Sequence, residues 1–266
     1  MMRPKSAVSA RLIAPIVVAL AAVMGSCTQI GTSPTTITAL QFDTLPFPAI
    51  VTGDSLRDSL GMVQPLRAIA FNATGGVIAN ASLSYLALDS GLTISSSGLV
   101  TAQLRNGRVR VIASAPGLQS VAETLIVTRR PDSVVATPPV IDTLHYVLPD
   151  NAGSNVSPSL GLQIVTRDTA GGIAGTEGWL VSYQVLFHGK ALAITDTTVA
   201  SLWNPSSQPA RVLRSAAGGL VSARLRVRPA GLPTAAESVT VVATVRYRGA
   251  QVRGSPVTYQ IQIRPK

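Results

Sequence analysis

The chain has 266 residues, of which 46% are hydrophobic, 4% aromatic and 13% charged, and it contains 22 glycines and 18 prolines. This hydrophobic content excludes a disordered chain, and the scarcity of charge excludes long salt-bridged helices, so short strands joined by turns are expected. The formal net charge of +10 rests mainly on arginine, and the length suits two ordinary domains.

The N-terminus carries the pattern of a secretory signal peptide. Arg3, Lys5 and Arg11 precede an uncharged apolar stretch at residues 12–24, and the small residues Gly25 and Ser26 follow it. A transmembrane helix needs about 20 apolar residues, which is longer than this stretch. The sequence therefore predicts a signal peptide at residues 1–26 that is removed on export.

The only cysteine, Cys27, follows directly in the string "MGSC", which resembles the lipobox of bacterial lipoproteins. The resemblance implies that Cys27 is acylated, so that fatty acids such as palmitate anchor the chain and residues 27–35 form a polar tether. Thr28 stands where Asp would be, which the resemblance links to the outer membrane, on its periplasmic face or at the cell surface. A plain signal peptide that ends near a cysteine remains the alternative.

Downstream of the tether the pattern is that of β-strands. In "SVTVVATVRYRG" the residues Val239, Val241, Ala243 and Val245 alternate with polar side chains, and "VTYQIQIRP" at 257–265 alternates in the same way. Period-two alternation is typical of a strand with one face on a core and one in water. The sequence predicts an all-β fold with Gly-rich turns between strands.

An internal repeat sets the domain count. The segment at 71–88 matches the one at 166–186, with Gly75 aligned to Gly171 at an offset of 96 residues, and "GLVTAQLR" at 98–105 matches "GLVSARLR" at 219–226. A period near one hundred residues is typical of one immunoglobulin-like β-sandwich per repeat. We predict two tandem sandwiches at 36–128 and 140–266, joined by a linker at 129–139, with about 25 extra residues between Val181 and Gly219 of the second.

Residues 36–128 resemble a bacterial Ig-like domain of group 2. The resemblance rests on "LRAIAFNATGGVIAN" at 66–80, "SLSYLALDSG" at 82–91 and "ISSSGLVTAQLRNGRVRVIASAPG" at 94–117. Residues 140–266 are similar to the invasin-type group in their "AAGGLVSARLRV" and "TVVATV" strands. The resemblance implies a non-enzymatic, lipid-anchored envelope or surface protein whose tandem modules serve adhesion or structural display.

No catalytic residue, metal site or cofactor site is predicted. His145 and His188 are 43 residues apart, and neither makes a zinc-type spacing with a cysteine. Asp150 lies in "LPDNAGSN", whose oxygen donors are of the kind that Ca²⁺ takes, but a polar turn explains the same residues and is favoured.

The most basic part of the chain is its C-terminal quarter, which has nine arginines and one lysine against Glu237 alone after residue 200. Arg224, Arg226 and Arg228 alternate with apolar residues, so all three are expected to point away from the core. If their strand neighbours the one carrying Arg246 and Arg248 in one sheet, the five side chains form a patch for anionic envelope polymers or an acidic surface protein. An ordinary solvated face is the alternative.

A second possible function is an envelope-glycan or carbohydrate-binding subunit of a larger surface complex. Trp203 in "SLWNPSSQP" is its candidate residue, because an indole ring can stack on a sugar, although a tryptophan packed beneath its own loop is favoured. Nucleic acid is not an expected partner, since the chain is exported and lacks aromatic stacking platforms.

Overall fold

The computed structural model describes residues 36–103, 106–151, 153–167 and 171–266. The predicted signal peptide at 1–26, the lipidation site Cys27 and the tether at 27–35 lie outside the described residues. Within the described ranges, no helix is long and apolar enough to cross a membrane.

The first sandwich is built around a sheet with the strand order β2-β9-β7-β4, in which β8 also pairs with β7. Two antiparallel pairs, β1-β3 and β5-β6, complete it. Strand β2 lies parallel to β9, and the other pairs in this sandwich are antiparallel. Its strands are β1 (Ala39–Phe42), β2 (Ala49–Val51), β3 (Ala68–Phe71), β4 (Ser84–Ala87), β5 (Leu92–Ile94), β6 (Val100–Ala102), β7 (Gly107–Ala115), β8 (Leu118–Gln119) and β9 (Glu123–Thr128).

The second sandwich has two larger sheets. One has the order β10-β12-β18-β16 with β13 on β12, and the other has the order β11-β22-β19-β14-β15 with β17 on β14. Its strands are β10 (Ser133–Thr137), β11 (Ile141–Tyr146), β12 (Leu160–Arg167), β13 (Ile173–Gly175), β14 (Leu180–Phe187), β15 (Lys190–Ala191), β16 (Ala200–Trp203), β17 (Val212–Arg214), β18 (Leu220–Val227), β19 (Glu237–Thr244), β20 (Arg246–Tyr247), β21 (Ala250–Gln251) and β22 (Val257–Pro265). Short 3₁₀ turns at Ala217–Gly219 and Pro229–Gly231 flank β18, and β20 and β21 form a separate hairpin.

The core follows the alternation expected from the sequence. Val239, Val241 and Ala243 of β19 are fully buried, as are Tyr259 and Ile261 of the neighbouring strand β22. Burial of one such aliphatic side chain stabilises the fold by roughly 1.5–3 kcal/mol. The polar residues between them lie on the opposite face, so the two strands hold one side of the second core.

The linker predicted at 129–139 is shorter in the structure. Strand β10, which falls within it, pairs antiparallel with β12 over five residues and is therefore part of the second sandwich. The extra residues predicted between Val181 and Gly219 contain strands β15, β16 and β17.

Each double-glycine signature of the repeat closes a hairpin. In the first sandwich Phe71 and Val77 form an antiparallel bridge around Gly75, whose φ is 79°. In the second, β12 pairs with β13 around Gly171, whose φ is 83°. Glycine is favoured at both positions because such φ angles are costly for other residues.

Candidate functional site

The five arginines proposed as one basic patch do not lie on one sheet. Arg224, Arg226 and Arg228 belong to β18 and its extension in the sheet β10-β12-β18-β16, whereas Arg246 and Arg248 lie at β20, which is paired with β21. The condition set for the patch, that these strands are neighbours in one sheet, is therefore not met, and the five side chains do not share one sheet face.

Arg226 also departs from the prediction because it is only 4% exposed. Its Nη2 atom lies 2.6 Å from Oδ1 of Asp150 and 3.2 Å from the carbonyl oxygen of Asn151, and its Nη1 donates to the carbonyl oxygen of Val227. Strand alternation places Arg226 on the outer face of the sheet, where its guanidinium contacts Asp150 and Asn151, and Val156 forms a backbone bridge beside β18. The guanidinium therefore holds this segment against the strand.

The oxygen donors considered for Ca²⁺ are engaged within the same segment. Asp150 accepts hydrogen bonds from Arg226 and from Nδ2 of Asn155 at 2.8 Å, and Ser154 bonds with the backbone of Asn151. Burial alone would raise the pKa of Asp150, but the bonds from Arg226 and Asn155 outweigh it and lower the pKa. A guanidinium thus supplies the positive charge beside Asp150, and the described residues contain no group of three metal-ligating side chains.

Trp203 ends β16 on the face of the sheet that points away from the core. It pairs with Arg224 across the ladder to β18, and its own bridge to Pro209 closes a hairpin. The guanidinium carbon of Arg226 lies 5.8 Å from the centre of the indole ring, at the distance of a cation–π contact. The side chain of Trp203 is half-buried.

The two sandwiches meet at a joint formed by Phe47 and Asp54 of the first and Trp179, Tyr247 and Arg248 of the second. The aromatic part is a row of three tilted rings, in which the ring centres of Phe47 and Trp179 are 4.9 Å apart and those of Trp179 and Tyr247 are 6.0 Å apart. Trp179 is buried, and its Nε1 donates to the carbonyl oxygen of Arg246 at 3.0 Å. The polar end of the indole is therefore satisfied within the second sandwich.

The polar part of the joint is centred on Asp54, which is 7% exposed. Nε of Arg248 donates to Oδ2 of Asp54 at 3.0 Å, and Nη2 of Arg248 lies 2.9 Å from Oδ1. The hydroxyl of Tyr247 donates to Oδ2 at 3.1 Å. Arg57 adds bonds from within the first sandwich. Burial opposes ionisation of Asp54, but the bonds from Arg248 and Arg57 are stronger and hold its pKa well below the usual range.

Further contacts close the interface around the joint. Gly178 packs so tightly that a β-carbon there would lie 3.0 Å from the side chain of Ile126 and 3.2 Å from that of Ala49. Nη2 of Arg108 lies 2.5 Å from Oε1 of Glu177, which forms a second ion pair between the sandwiches. The cavity beside Asp54 measures about 30 Å³, room for about one water molecule. One continuous cluster of buried apolar residues extends through both sandwiches, and a second, smaller cluster of Leu40, Ala70 and Ala115 lies in the first.

His145 and His188 lie apart from each other and have different neighbours. Nε2 of His188 lies 2.7 Å from Oε2 of Glu237, whose pKa is lowered by the hydroxyl of Thr234 and by His188. Nδ1 of His145 lies 3.4 Å from the carbonyl oxygen of Pro265. Both imidazoles thus have neighbours that account for their positions on the surface strands and turns.

Sequence reasoning missed the joint. Asp54 and Arg248 are 194 residues apart, so no local spacing links them. One signal was present in "YRGA": Arg248 precedes a glycine in a short turn, and its φ of 50° is unusual for a residue with a side chain. This conformation places Arg248 at the tip of the β20-β21 hairpin, where it meets Asp54.

No protein-family model and no curated protein matches the sequence. Among solved structures, domains 4 and 5 of the S-layer protein SbsC are 10% identical, with 85% of this chain and 96% of that chain covered and a TM-score of 0.30. The Yersinia pseudotuberculosis adhesin InvE is 11% identical, with 88% and 61% covered and a TM-score of 0.32. The Escherichia coli adhesin FdeC is 16% identical, with 83% and 65% covered and a TM-score of 0.28. The chain thus spans less than two thirds of the InvE and FdeC chains.

At these identities and TM-scores the likenesses carry no argument, and the function is inferred from this chain's own residues. The predicted fold class is confirmed: the described chain is all-β and forms two tandem immunoglobulin-like β-sandwiches.

Proposed function

We propose that the chain is a lipid-anchored, non-enzymatic protein of the bacterial outer membrane that holds two Ig-like sandwiches in a fixed arrangement for adhesion or structural display. The observation that carries this proposal is the joint, where a buried carboxylate and a contact between aromatic rings connect the two sandwiches. Sandwiches that moved independently would not keep the carboxylate of Asp54 buried against Arg248 and Tyr247 of the other sandwich.

In this proposal, acyl chains on Cys27 hold one end at the membrane, on either its periplasmic or its outer side. The polar tether at 27–35 reaches at most about 30 Å when extended, at roughly 3.3–3.6 Å per residue. Beyond it the two sandwiches move as one body and project the distal strands to a fixed distance. The group 2 type for residues 36–128 and the invasin type for residues 140–266 belong to the same proposal.

The fixed arrangement is tested by removing the aromatic contact between the sandwiches. Spin labels at Val121 and Ile194, both exposed, report the distance between the first and the second sandwich by pulsed electron resonance. We expect one narrow distance distribution for the native joint. We expect a clearly broader one for Phe47→Ala, because the aromatic contact between Phe47 and Trp179 is lost.

Leu86→Ala is the matched control for this measurement, since Leu86 is an exposed apolar residue of the first sandwich outside the joint. It should leave the distribution narrow. A distribution that is already broad in the native protein, or that stays narrow in Phe47→Ala, contradicts a fixed arrangement held by this contact.

The lipid anchor is tested at Cys27. We expect Cys27→Ala to abolish incorporation of a palmitate analogue and to release the protein from the membrane fraction, because no other residue can take the acyl chains. Thr28→Asp is the control: it should keep the label and, by the sorting rule of lipoproteins, move the protein away from the outer membrane. Retention of label or of membrane association in Cys27→Ala would exclude anchoring through this sulfur.

A further inference from the structure

The end of β16 presents an aromatic and a basic side chain on one face of the sheet. The β16-β18 ladder pairs Trp203 with Arg224 and Leu202 with Leu225. Leu202 and Leu225 are fully buried in the core, so the alternation of side chains along a strand puts Trp203 and Arg224 on the outer face. Side chains directly opposite each other in such a ladder have β-carbons about 5 Å apart.

The indole ring of Trp203 is held in place by a fixed neighbour. Arg226, on the same face of β18, contacts the ring and is itself bound by Asp150 and by the carbonyl oxygens of Asn151 and Val227. A ring that is already ordered loses little conformational freedom when a ligand stacks on it. The indole ring of Trp203 is therefore ordered before a ligand binds, and we call it the platform.

Two arginines next to this platform are free of direct ion pairs among the described residues. Arg224 and Arg228 are exposed, and neither has an ion-pair partner within the residues that the structure describes. The nearby carboxylate of Asp150 is committed to Arg226. An exposed guanidinium offers a planar pair of donors that matches a carboxylate.

A polar hairpin follows Trp203 in the chain. The backbone N–H of Asn204 donates to the carbonyl oxygen of Gln208 at 2.9 Å, and the N–H of Gln208 donates to Oδ1 of Asn204 at 2.9 Å. The intervening side chains of Ser206 and Ser207 are exposed. Hydroxyls and an amide on a fixed turn are suitable partners for the hydroxyl groups of a sugar.

We propose that this face, consisting of Trp203, Arg224, Arg228 and the hairpin at 204–208, binds an acidic polysaccharide. A uronic acid unit stacks its ring on Trp203 and places its carboxylate on Arg224. Arg228 lies four residues along an extended backbone, about 13 Å away at 3.3 Å per residue, so it meets a later unit of the same polymer. This spacing favours a polymer over a single sugar. The inference stands independently of the lipid anchor and of the joint.

The test uses the full-length protein in detergent and measures binding to polygalacturonate, to its methyl ester and to neutral dextran. We expect polygalacturonate to bind more tightly than its methyl ester, which keeps the sugar rings but lacks the charge, and dextran to bind least. Arg224→Gln and Trp203→Ala should each weaken binding to polygalacturonate by about tenfold. Trp203→Phe, which keeps an aromatic ring, should retain most of the affinity.

Arg264→Gln is the matched control, because Arg264 is an exposed arginine of β22 in the other sheet of the same sandwich. It should change the affinity by less than about twofold, as expected for a screened surface charge. Circular dichroism confirms that each variant is folded, and Trp203→Phe serves as the second probe if Trp203→Ala is not.

Three results would overturn the proposal. The first is equal loss of affinity in Arg264→Gln and Arg224→Gln, which indicates attraction by net charge alone. The second is tight binding of inorganic polyphosphate that Trp203→Ala leaves unchanged, which indicates an anion surface without a sugar platform. The third is failure of the native protein to bind polygalacturonate, alginate or hyaluronate at millimolar concentration.

Discussion

Replacing Asp54 by alanine is expected to lower the free energy of unfolding by about 2–3 kcal/mol. Asp54 accepts hydrogen bonds from Arg57, Arg248 and Tyr247, and its loss leaves these donors at the joint without their acceptor. Removing one partner of a buried pair costs about 3–5 kcal/mol, and the exposure of the Arg248 side chain reduces that figure because its guanidinium can turn to water.

Urea unfolding followed by tryptophan fluorescence measures this loss, since both tryptophans lie in the second sandwich and Trp179 lies at the joint. Asp89→Ala is the matched control. Asp89 also binds an arginine, Arg110, with two side-chain hydrogen bonds, but this pair is exposed and within the first sandwich. It should cost much less. Equal losses in the two variants would show that Asp54 acts as an ordinary surface ion pair.

The same comparison has a pH dependence of known sign. The pKa of Asp54 is lowered in the folded protein, so its contribution is fully present above the pKa of an unfolded aspartate, about 3.9, and declines as the pH falls below it. The difference in stability between the native protein and Asp54→Ala should therefore be constant near neutrality and shrink in strong acid.

Strand alternation predicted the faces of side chains correctly but could not predict what covers a face. Arg226 lies on the outer side of β18, as expected from its spacing, yet it is buried and its guanidinium contacts Asp150 and Asn151 of a distant part of the chain. The pairing of β18 with distant strands was likewise beyond local pattern, since a strand's own sequence does not name its neighbours in a sheet. For that reason the sequence could not show that the five arginines lie in different sheets.

Prolines led to the prediction of a linker at 129–139, part of which is the strand β10. Pro131, Pro138 and Pro139 surround β10, and their presence suggested a linker. Proline is compatible with the ends of an edge strand, where an N–H group is not needed for the ladder, and β10 lies at the edge of its sheet. The short apolar run between the prolines was thus a strand, and the two sandwiches are closer along the chain than the composition suggested.

The internal repeat also matches in the role of one glycine, which its period of about one hundred residues does not explain. Gly98 and Gly219, which open the two "GLV" strings, both have positive φ angles of 82° and 75°. A β-carbon at Gly98 would lie 2.9 Å from the carbonyl oxygen of Leu66, and one at Gly219 would lie 2.1 Å from that of Ile164. In both sandwiches the backbone passes a neighbouring segment of the chain too closely for a side chain, so the glycine is required by packing as well as by conformation.

Two adjacent glycines allow the cost of a positive φ angle to be measured separately from the cost of a steric clash. Gly218 and Gly219 have nearly the same φ, 78° and 75°, but a β-carbon at Gly218 meets no atom within 4 Å. Gly218→Ala should therefore cost only the conformational penalty, about 1–2 kcal/mol. Gly219→Ala adds a clash with the backbone and should cost about 3–4 kcal/mol in total.

The clash at Gly219 involves groups that cannot move independently. The carbonyl oxygen of Ile164 accepts the N–H of Thr176 at 2.9 Å, and the same β-carbon would lie 2.8 Å from that nitrogen. Relief therefore requires displacement of β12 or of the chain after β13, both in the core of the second sandwich. Fluorescence-detected urea unfolding of the two variants gives the comparison, and a loss for Gly219→Ala no greater than that for Gly218→Ala would contradict the close approach.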